Sequence, residues 1–568
     1  MELLAPAGNH ACLEAALEAG ADAVYLGLTT LNARRHARNF TERGLEDACA
    51  LVHARGKRVH LTLNIDLAQD ELERAAQVLE LASDLGVDAV LVRDPALLAL
   101  KPHFPTLTYH LSTQGCAASR ADVEAARELG VARVVLAREM ALPEIAAASR
   151  VDGVETEVFV HGAMCFAVSG RCLLSSWAGG RSGNRGQCTS PCRVPWTLDG
   201  RPAGNPLSMH DLSLVTRVTD LASAGVRAVK IEGRMKNPSW VGATVALWRK
   251  ALDGTAPVEE LAREAQRRGA TPGRRLTSAY LDGRRDGLVE PPVTSGSPET
   301  STLTRSVMVR PGAAALLAEA GVARVRAPRV TADRARVHAD QVEEFLLRVA
   351  PSDATVVEGL DAGRLARVTG TFPGRRLVAA LPAVLLDQDE AWAQSLVTAC
   401  VERGVTVEVN TWGGWRLARR AGARVVGGPG MGVLNALAVR DLAARGFTEV
   451  TASVEIDGPK LEALVARCVL PCSVVVFGRP PLVVTRAELP PDLVSGTLED
   501  DRRVMLSARR DRGTWQLRAV DPFDWREARL PPGVSHTVVD LVGSPDPVTE
   551  WERPTAGASR FNLDRVLG

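Results

Sequence analysis

About the first 250 residues alternate short apolar runs with amphipathic stretches of helical spacing, several of which end in a glycine before the next run. The runs are Glu2–Ala5, Ala23–Gly27, Arg58–Leu63, Asp88–Val92, Leu107–Leu111, Arg133–Leu136, Thr156–Val160 and Ala228–Ile231. Helical segments such as Ala11–Ala19 and Asp122–Leu129 lie between them, and Gly20, Gly86, Gly130 and Gly225 stand where a left-handed C-cap is needed. Strands separated by helices run parallel, because the crossover returns the chain to the same edge. Eight of them predict an α/β fold with an N-terminal (β/α)8 barrel. A doubly wound dinucleotide fold fits poorly, since no Gly-x-Gly-x-x-Gly follows the first run.

The 568 residues exceed one barrel, so a second core is expected. With 46% hydrophobic and 24% charged residues the chain is neither disordered nor fibrous. A net charge of +1 excludes a uniformly basic nucleic-acid coat. Six lysines stand against 62 arginines, a compositional bias that stops arginine abundance from counting as evidence for RNA binding. There is no apolar run of transmembrane length and no basic-then-apolar leader in Met1–Pro6, so a cytoplasmic protein with no membrane partner is expected.

Residues 1–252 form the barrel unit in this reading, and 253–304, rich in Gly, Pro, Arg and Thr, form a connector that wraps it. From residue 305 to 487 the alternation resumes as a degenerate second α/β half. Shifted by 316, Gly130, Val134, Glu139, Pro143 and Gly162 fall on Gly446, Val450, Glu455, Pro459 and Gly478, within nine identities over the 47 positions from Ser119 to Cys165. In that register Cys165 and Cys172 become Pro481 and Glu488, so the second half reads as a copy without the metal site. Alternating stretches such as Arg503–Ser507 and Thr514–Val520 predict a small β-rich region over 488–568.

Four of the ten cysteines, Cys165, Cys172, Cys188 and Cys192, fall in one stretch between the seventh and eighth strands. It is far longer than a βα connection requires and contains Gly179, Gly180, Gly183 and Gly186. Four thiolates on one loop, 162–195, satisfy either a tetrahedral zinc or a four-iron cluster. The uneven Cys-x6-Cys-x15-Cys-x3-Cys spacing is not a pair of zinc knuckles, which favours a [4Fe-4S] cluster with zinc as runner-up. Cys468 and Cys472 repeat only the last spacing and read as core packing.

Residues just after barrel strands line the face where barrel enzymes work. Here they are Asn64, Asp94, Gln114, Glu139, His161, Glu232 and Arg234, an unusually polar ring.

At this point the chain resembles the collagenase-like peptidase family U32. The resemblance rests on Glu157, Phe159, Gly162, Ala163 and Cys165, then Cys172, Leu174 and Ser175. It continues through Asn184–Arg193 and Lys230–Lys236, and includes Glu2–Gly8. It extends more weakly to Val476–Leu482, as in the family's long members. One departure is His210, where the family commonly has a lysine.

The resemblance implies more than proteolysis. Relatives hold an iron–sulfur cluster and hydroxylate RNA pyrimidines or quinone precursors without O2, some with prephenate as oxygen donor. Length tilts the expectation toward an rRNA cytidine, with tRNA as the other RNA substrate, by analogy alone. The strand-end ring and the motifs together give Glu139, His161 and Glu232 as candidate catalytic residues, with Asn64, Gln114, Arg185, Arg193, His210, Lys230 and Arg234 expected on the substrate. Arginine suits phosphates and small carboxylic acids alike. The alternatives are a peptidase, for which no His-Glu-x-x-His or Gly-x-Ser-x-Gly occurs, and a non-enzymatic RNA-binding or assembly factor with a structural cluster.

Overall fold

Each of the eight apolar runs becomes a strand within two residues of its expected ends. In the computed structural model, which describes residues 1–269, 274–289, 316–317, 332–350, 352–553 and 559–563, these are β1 (Glu2–Pro6), β2 (Ala23–Leu26), β3 (Arg58–Leu63), β4 (Ala89–Val92), β5 (Tyr109–Leu111), β6 (Arg133–Val135) and β7 (Glu155–Gly162). After β8 (Trp196–Leu198), β9 (Arg201–Gly204) and β10 (Asp211–Ser213) comes the last barrel strand, β11 (Ala228–Ile231). All eight are parallel, and β11 closes the barrel by pairing with both β1 (Val229 beside Leu3) and β7 (Val229 beside Val158). The helices form as their caps dictate. In His10–Glu18 the Asn9 side chain accepts from the Cys12 amide, and Cys12, Leu13, Ala16 and Leu17 make one buried face. Gly20, Gly86, Gly130 and Gly225 all have positive φ.

The second half is a complete barrel rather than a degenerate one. After β12 (Leu276–Thr277) it comprises β13 (Ala332–His338), β14 (Thr355–Glu358), β15 (Leu377–Ala380), β16 (Thr406–Val409), β17 (Val425–Gly427), β18 (Phe447–Thr451) and β19 (Cys472–Gly478). Then follow β20 (Pro481–Thr485), β21 (Thr497–Asp500), β22 (Met505–Asp511), β23 (Thr514–Ala519), β24 (Phe523–Asp524) and the closing strand β25 (His536–Asp540). β25 lies parallel between β13 and β19, and β18 pairs with β19. The second domain therefore does not end at 487. Its eighth strand sits inside the region expected to be a separate β-rich unit, hidden there because a long excursion precedes it.

That excursion occupies the same topological slot as the cysteine stretch, between strands seven and eight of its barrel. The two excursions join in one antiparallel sheet, ordered β20-β23-β22-β21-β8-β9, with Leu498 opposite Leu198 and Asp500 opposite Trp196. Of the connector, Val258–Arg268 is helical and β12 pairs with β10, back on the first barrel. Residues 270–273 and 290–304 of it lie outside the described residues.

The barrels meet through the ends where their strands finish. The helix after the fourth strand of each packs on the helix after the fifth strand of the other: Pro95–Leu100 on Ala436–Ala444, and Trp412–Arg420 on Arg120–Glu128. Asn435 Nδ2 donates to Asp94 at 3.1 Å, and the Gly413 amide donates to Asp122 at 2.8 Å. Burial pushes both carboxyls up, each to about 6, against the hydrogen bonds that hold them. Arg416, buried at the seam, bridges Glu124 at 2.5 Å and Glu128 at 3.0 Å. No described helix is long and apolar enough to cross a membrane.

Arg416→Ala leaves two carboxylates facing each other at the seam without their shared cation. It is expected to cost about 3 kcal/mol in denaturant unfolding. Arg419→Ala, at the exposed rim of the same cluster (57% exposed), is expected to cost under about 1 kcal/mol. Equal losses in the two variants would show that the seam does not depend on the buried pair.

Candidate functional site

The mouth of the first barrel is organised around Glu232, the residue after β11. Its carboxylate meets Arg34 Nε at 3.3 Å and Arg138 Nη2 at 2.9 Å. Burial raises this carboxyl, but Arg34, Arg138, Arg234 and Lys230 together hold it below the ordinary glutamate range. Lys230, one residue inside the barrel, pairs with Glu157 at 2.9 Å and lies over the Tyr25 ring. Arg234 donates to Thr62 at 3.2 Å and Asn32 at 2.8 Å, and burial lowers it to about 10. Asn64 donates to Ser112 and accepts from the Ala33 amide. With Gln114, Phe159 and Tyr25 these side chains enclose a small cavity of about 30 Å³. Gly162 allows the close approach of this corner: at φ +108, a Cβ there would stand 2.4 Å from the Glu232 carbonyl oxygen.

The cysteine loop roofs this mouth. Cys165, Cys172, Cys188 and Cys192 line one cavity of about 360 Å³, together with Arg34, Gln114 and Glu232, so it opens directly onto the charged ring. All four are free thiols, with Cys165 and Cys188 exposed and the other two partly so. Burial raises the Cys172 and Cys192 thiols, Cys192 to about 12, and the neighbouring cysteines push in the same direction. Ser190 adopts a left-handed φ of +57 in the Cys188–Cys192 turn, and its amide donates to Cys188 Sγ at 3.3 Å. Gly186, at φ +83, lies where a Cβ would be 2.1 Å from the Asn32 carbonyl oxygen, which pins the loop to the segment after β2.

Of the residues expected in the site, the structure brings the four cysteines, Asn64, Gln114, Lys230, Glu232 and Arg234 to these two cavities. Five others do something else. His161 packs against Trp240 and Trp248, with ring centroids 5.9 and 6.4 Å away. Neither ring nitrogen has a hydrogen-bond partner among the described residues, and burial lowers its pKa to about 4. The cause is a bulge: the β7–β11 register slips so that Ile231 faces His161, reversing the alternation that would have pointed it inward. Glu139 is raised by burial and lies near Arg138, Arg486 and Arg285, on neither cavity. Its neighbour Arg138 takes the inward position.

Arg185 is fully engaged inside, donating to Glu71 at 2.8 and 2.9 Å and to the Asp66 carbonyl. Arg193 edges the larger cavity, but its guanidinium is spent on Ser208 and the Met209 and Met164 carbonyls. His210 is buried on neither cavity, its amide donating to Leu288. Arg34 and Arg138 were not foreseen. Arg138 is signalled by its place after β6, whereas Arg34 lies in an irregular loop of an arginine-rich chain and carries no local signal. Cys468 and Cys472 are buried beside each other, at the end of β19 away from its barrel's mouth.

Residues 8–290 match the family described as Peptidase family U32. The chain is 39% identical over 269 residues to the 23S rRNA 5-hydroxycytidine C2501 synthase of Escherichia coli (strain K12), covering 46% of this chain and 40% of that protein. It is 31% identical to tRNA hydroxylation protein P of the same organism, covering 45% of this chain and 68% of that protein. It is also 31% identical to a collagenase of Porphyromonas gingivalis, covering 50% of this chain and 74% of that protein. The match to the rRNA synthase spans less than half of that protein's length.

His161→Phe tests the outward placement. Between pH 6.5 and 4 an unfolded His161 binds a proton that the folded one refuses, so the wild type loses stability as pH falls through that window. The phenylalanine variant is expected to escape that loss and to gain on the wild type by up to about 3 kcal/mol near pH 4. A stability difference independent of pH would place the imidazole in a polar setting instead.

Proposed function

The chain belongs to peptidase family U32, and from that footing we propose that it is an RNA-modifying enzyme that hydroxylates a pyrimidine without O2, an rRNA cytidine in the first place, with a [4Fe-4S] cluster on the cysteine loop. The observation that carries this reading is the single cavity lined by all four thiols and open to the Glu232–Arg34–Arg138 ring. The names of the rRNA and tRNA relatives supply the substrate class.

The donor set fits a cluster better than one zinc ion. A tetrahedral ion draws its sulfurs together to within about 4 Å of one another. Among the described residues the one set of three ligand atoms within 4.8 Å of one another is His60, His110 and Glu157, not the thiols. That trio reads as an ion-pair network, since Glu157 is already held by Lys230 and Arg133. Cys165, Cys172, Cys188 and Cys192 would hold the cluster, which when bound supplies one-electron transfer from a site whose irons are all ligated.

The rest of the work falls to side chains. Asn64 and Gln114 offer amide groups suited to a base edge. Arg34, Lys236 and Arg274 give the cavity a cationic rim suited to phosphate. Arg34 and Arg138 fix the Glu232 carboxylate beside the thiols, and the same cationic rim suits a small carboxylic acid such as prephenate as oxygen donor. A peptidase would require a nucleophile hydrogen-bonded to a base, and no histidine–cysteine or histidine–serine hydrogen bond occurs among the described residues lining the cavity.

Two measurements test the proposal. Protein purified anaerobically should be brown, with about four irons per chain, and each single Cys→Ala variant at the four positions should lose iron and activity together. Nucleoside mass spectrometry of RNA from a strain lacking the protein should show one hydroxylated pyrimidine missing. One zinc and no iron, or an unchanged nucleoside profile, would overturn the cluster and the substrate class respectively.

A further inference from the structure

Glu455 lies in the loop after β18 of the second barrel and is 2% exposed. Its carboxylate is directed at the cysteine loop of the first. Oε1 accepts from Ser176 Oγ at 2.6 Å, and Oε2 accepts from Asn184 Nδ2 at 2.8 Å. Ser176 belongs to the helix Leu174–Gly179, which starts two residues after Cys172. Asn184 precedes Cys188, and its Nδ2 also donates to the Cys172 carbonyl at 3.3 Å. One carboxylate thus ties the segment after Cys172 to the segment before Cys188.

Backbone contacts work in the same direction. The Val168 amide donates to Val484, Leu173 to Leu482, and Val484 returns a bond to Arg171, so Cys172 lies opposite Val483 as an added strand on β20. Arg171 continues past Cys172 into the second barrel, donating to the Asn410 and Gly430 carbonyls at 2.6 Å each. None of these partners belongs to the first barrel, although all four cysteines do.

We propose that Glu455 is a positioning residue of the first barrel's site, contributed by the second barrel, which fixes Cys172 relative to Cys188 so that the four thiols can hold one cluster. The part played by the cluster rests on the function proposed above; the placement of Cys172 does not. Two donors lose their shared acceptor in Glu455→Ala, whereas Glu455→Gln keeps an acceptor for one of them.

The test uses the full chain. In metal-free protein, mass-spectrometric mapping of iodoacetamide labelling should show Cys172 reacting about tenfold faster in Glu455→Ala than in the wild type, with Glu455→Gln in between. In the iron-loaded protein, Glu455→Ala should release iron to a chelator faster and change the electron paramagnetic resonance signal of the reduced form. Arg416→Ala, which breaks a buried seam contact to Glu124 and Glu128 and none to the cysteine loop, serves as the control for general loosening and should leave both readouts at wild-type values. Labelling of Cys172 unchanged in Glu455→Ala, or raised equally in Arg416→Ala, would overturn the proposal. Faster labelling in a chain whose wild type binds no iron would uphold the positioning and remove the cluster reading alone.

Discussion

A long loop inserted between the last two strands of a closed barrel leaves backbone donors and acceptors that its own barrel satisfies only in part, through β10 on β7 in the first half and β24 on β19 in the second. This constraint shapes the molecule. The cysteine stretch meets it by borrowing from the second barrel: β8 and β9 complete a sheet begun by β21–β23, and Val168–Leu173 pair with Leu482–Val484. The second barrel's excursion has the same need and is satisfied by the same sheet. Each half therefore supplies the hydrogen bonds that the other half's insertion lacks, and the thiol cavity exists only where both are present.

What could be read from sequence follows from how local each signal is. The first eight strands were legible because they are short apolar runs separated by amphipathic stretches, several of which end in a left-handed glycine. That the four cysteines share one cavity was legible because they fall close together along the chain. The second barrel was only half legible. Its repeat register holds through Gly446 and Gly478, but its eighth strand, His536–Asp540, lies beyond the excursion and is too short to announce itself. The polar ring failed where orientation rather than position mattered. A bulge turned His161 outward, and a shift of one residue after β6 gave Arg138 the place assigned to Glu139. Arg185 and Arg193 sit in a recognisable motif, yet whether a guanidinium meets a ligand or holds its own loop depends on partners such as Glu71 that lie far away in sequence.

Both barrels also keep charge inside and neutralise it locally. In the first, Arg133 lies among Glu2, Glu155 and Glu157, with Lys230 completing the Glu157 pair. In the second, Arg336 stands between Glu358 and Glu408. In such surroundings imidazoles stay neutral: burial lowers His110 to about 3, and it packs edge-on against His60. These networks rigidify the barrels beneath the mouths. Glu232 lies above its network with arginines on two sides, which keeps it ionised where a buried glutamate alone would tend to take up a proton.

The contact between the halves has the symmetry of a two-fold dimer built within one chain. Helix four of each barrel meets helix five of the other, and the sequence register that places Gly162 on Gly478 also places Val168 on Val484, which are bonded to each other. A residue touching its own counterpart is the mark of an isologous interface, where one surface is used twice. The glycines agree with this: a Cβ on Gly162 would strike the backbone of Glu232, just after its barrel's eighth strand, and one on Gly478 that of Asp540, the last residue of its own. Within this symmetry the two copies of one segment have diverged in opposite directions. After Gly162 the chain became a loop of thiols; after Gly478, with Pro481 and Glu488 where the cysteines would stand, it became the strand β20. The copy without cysteines is the one whose strand Cys172 lies against, so the thiol loop of one half takes its alignment from the divergence of the other.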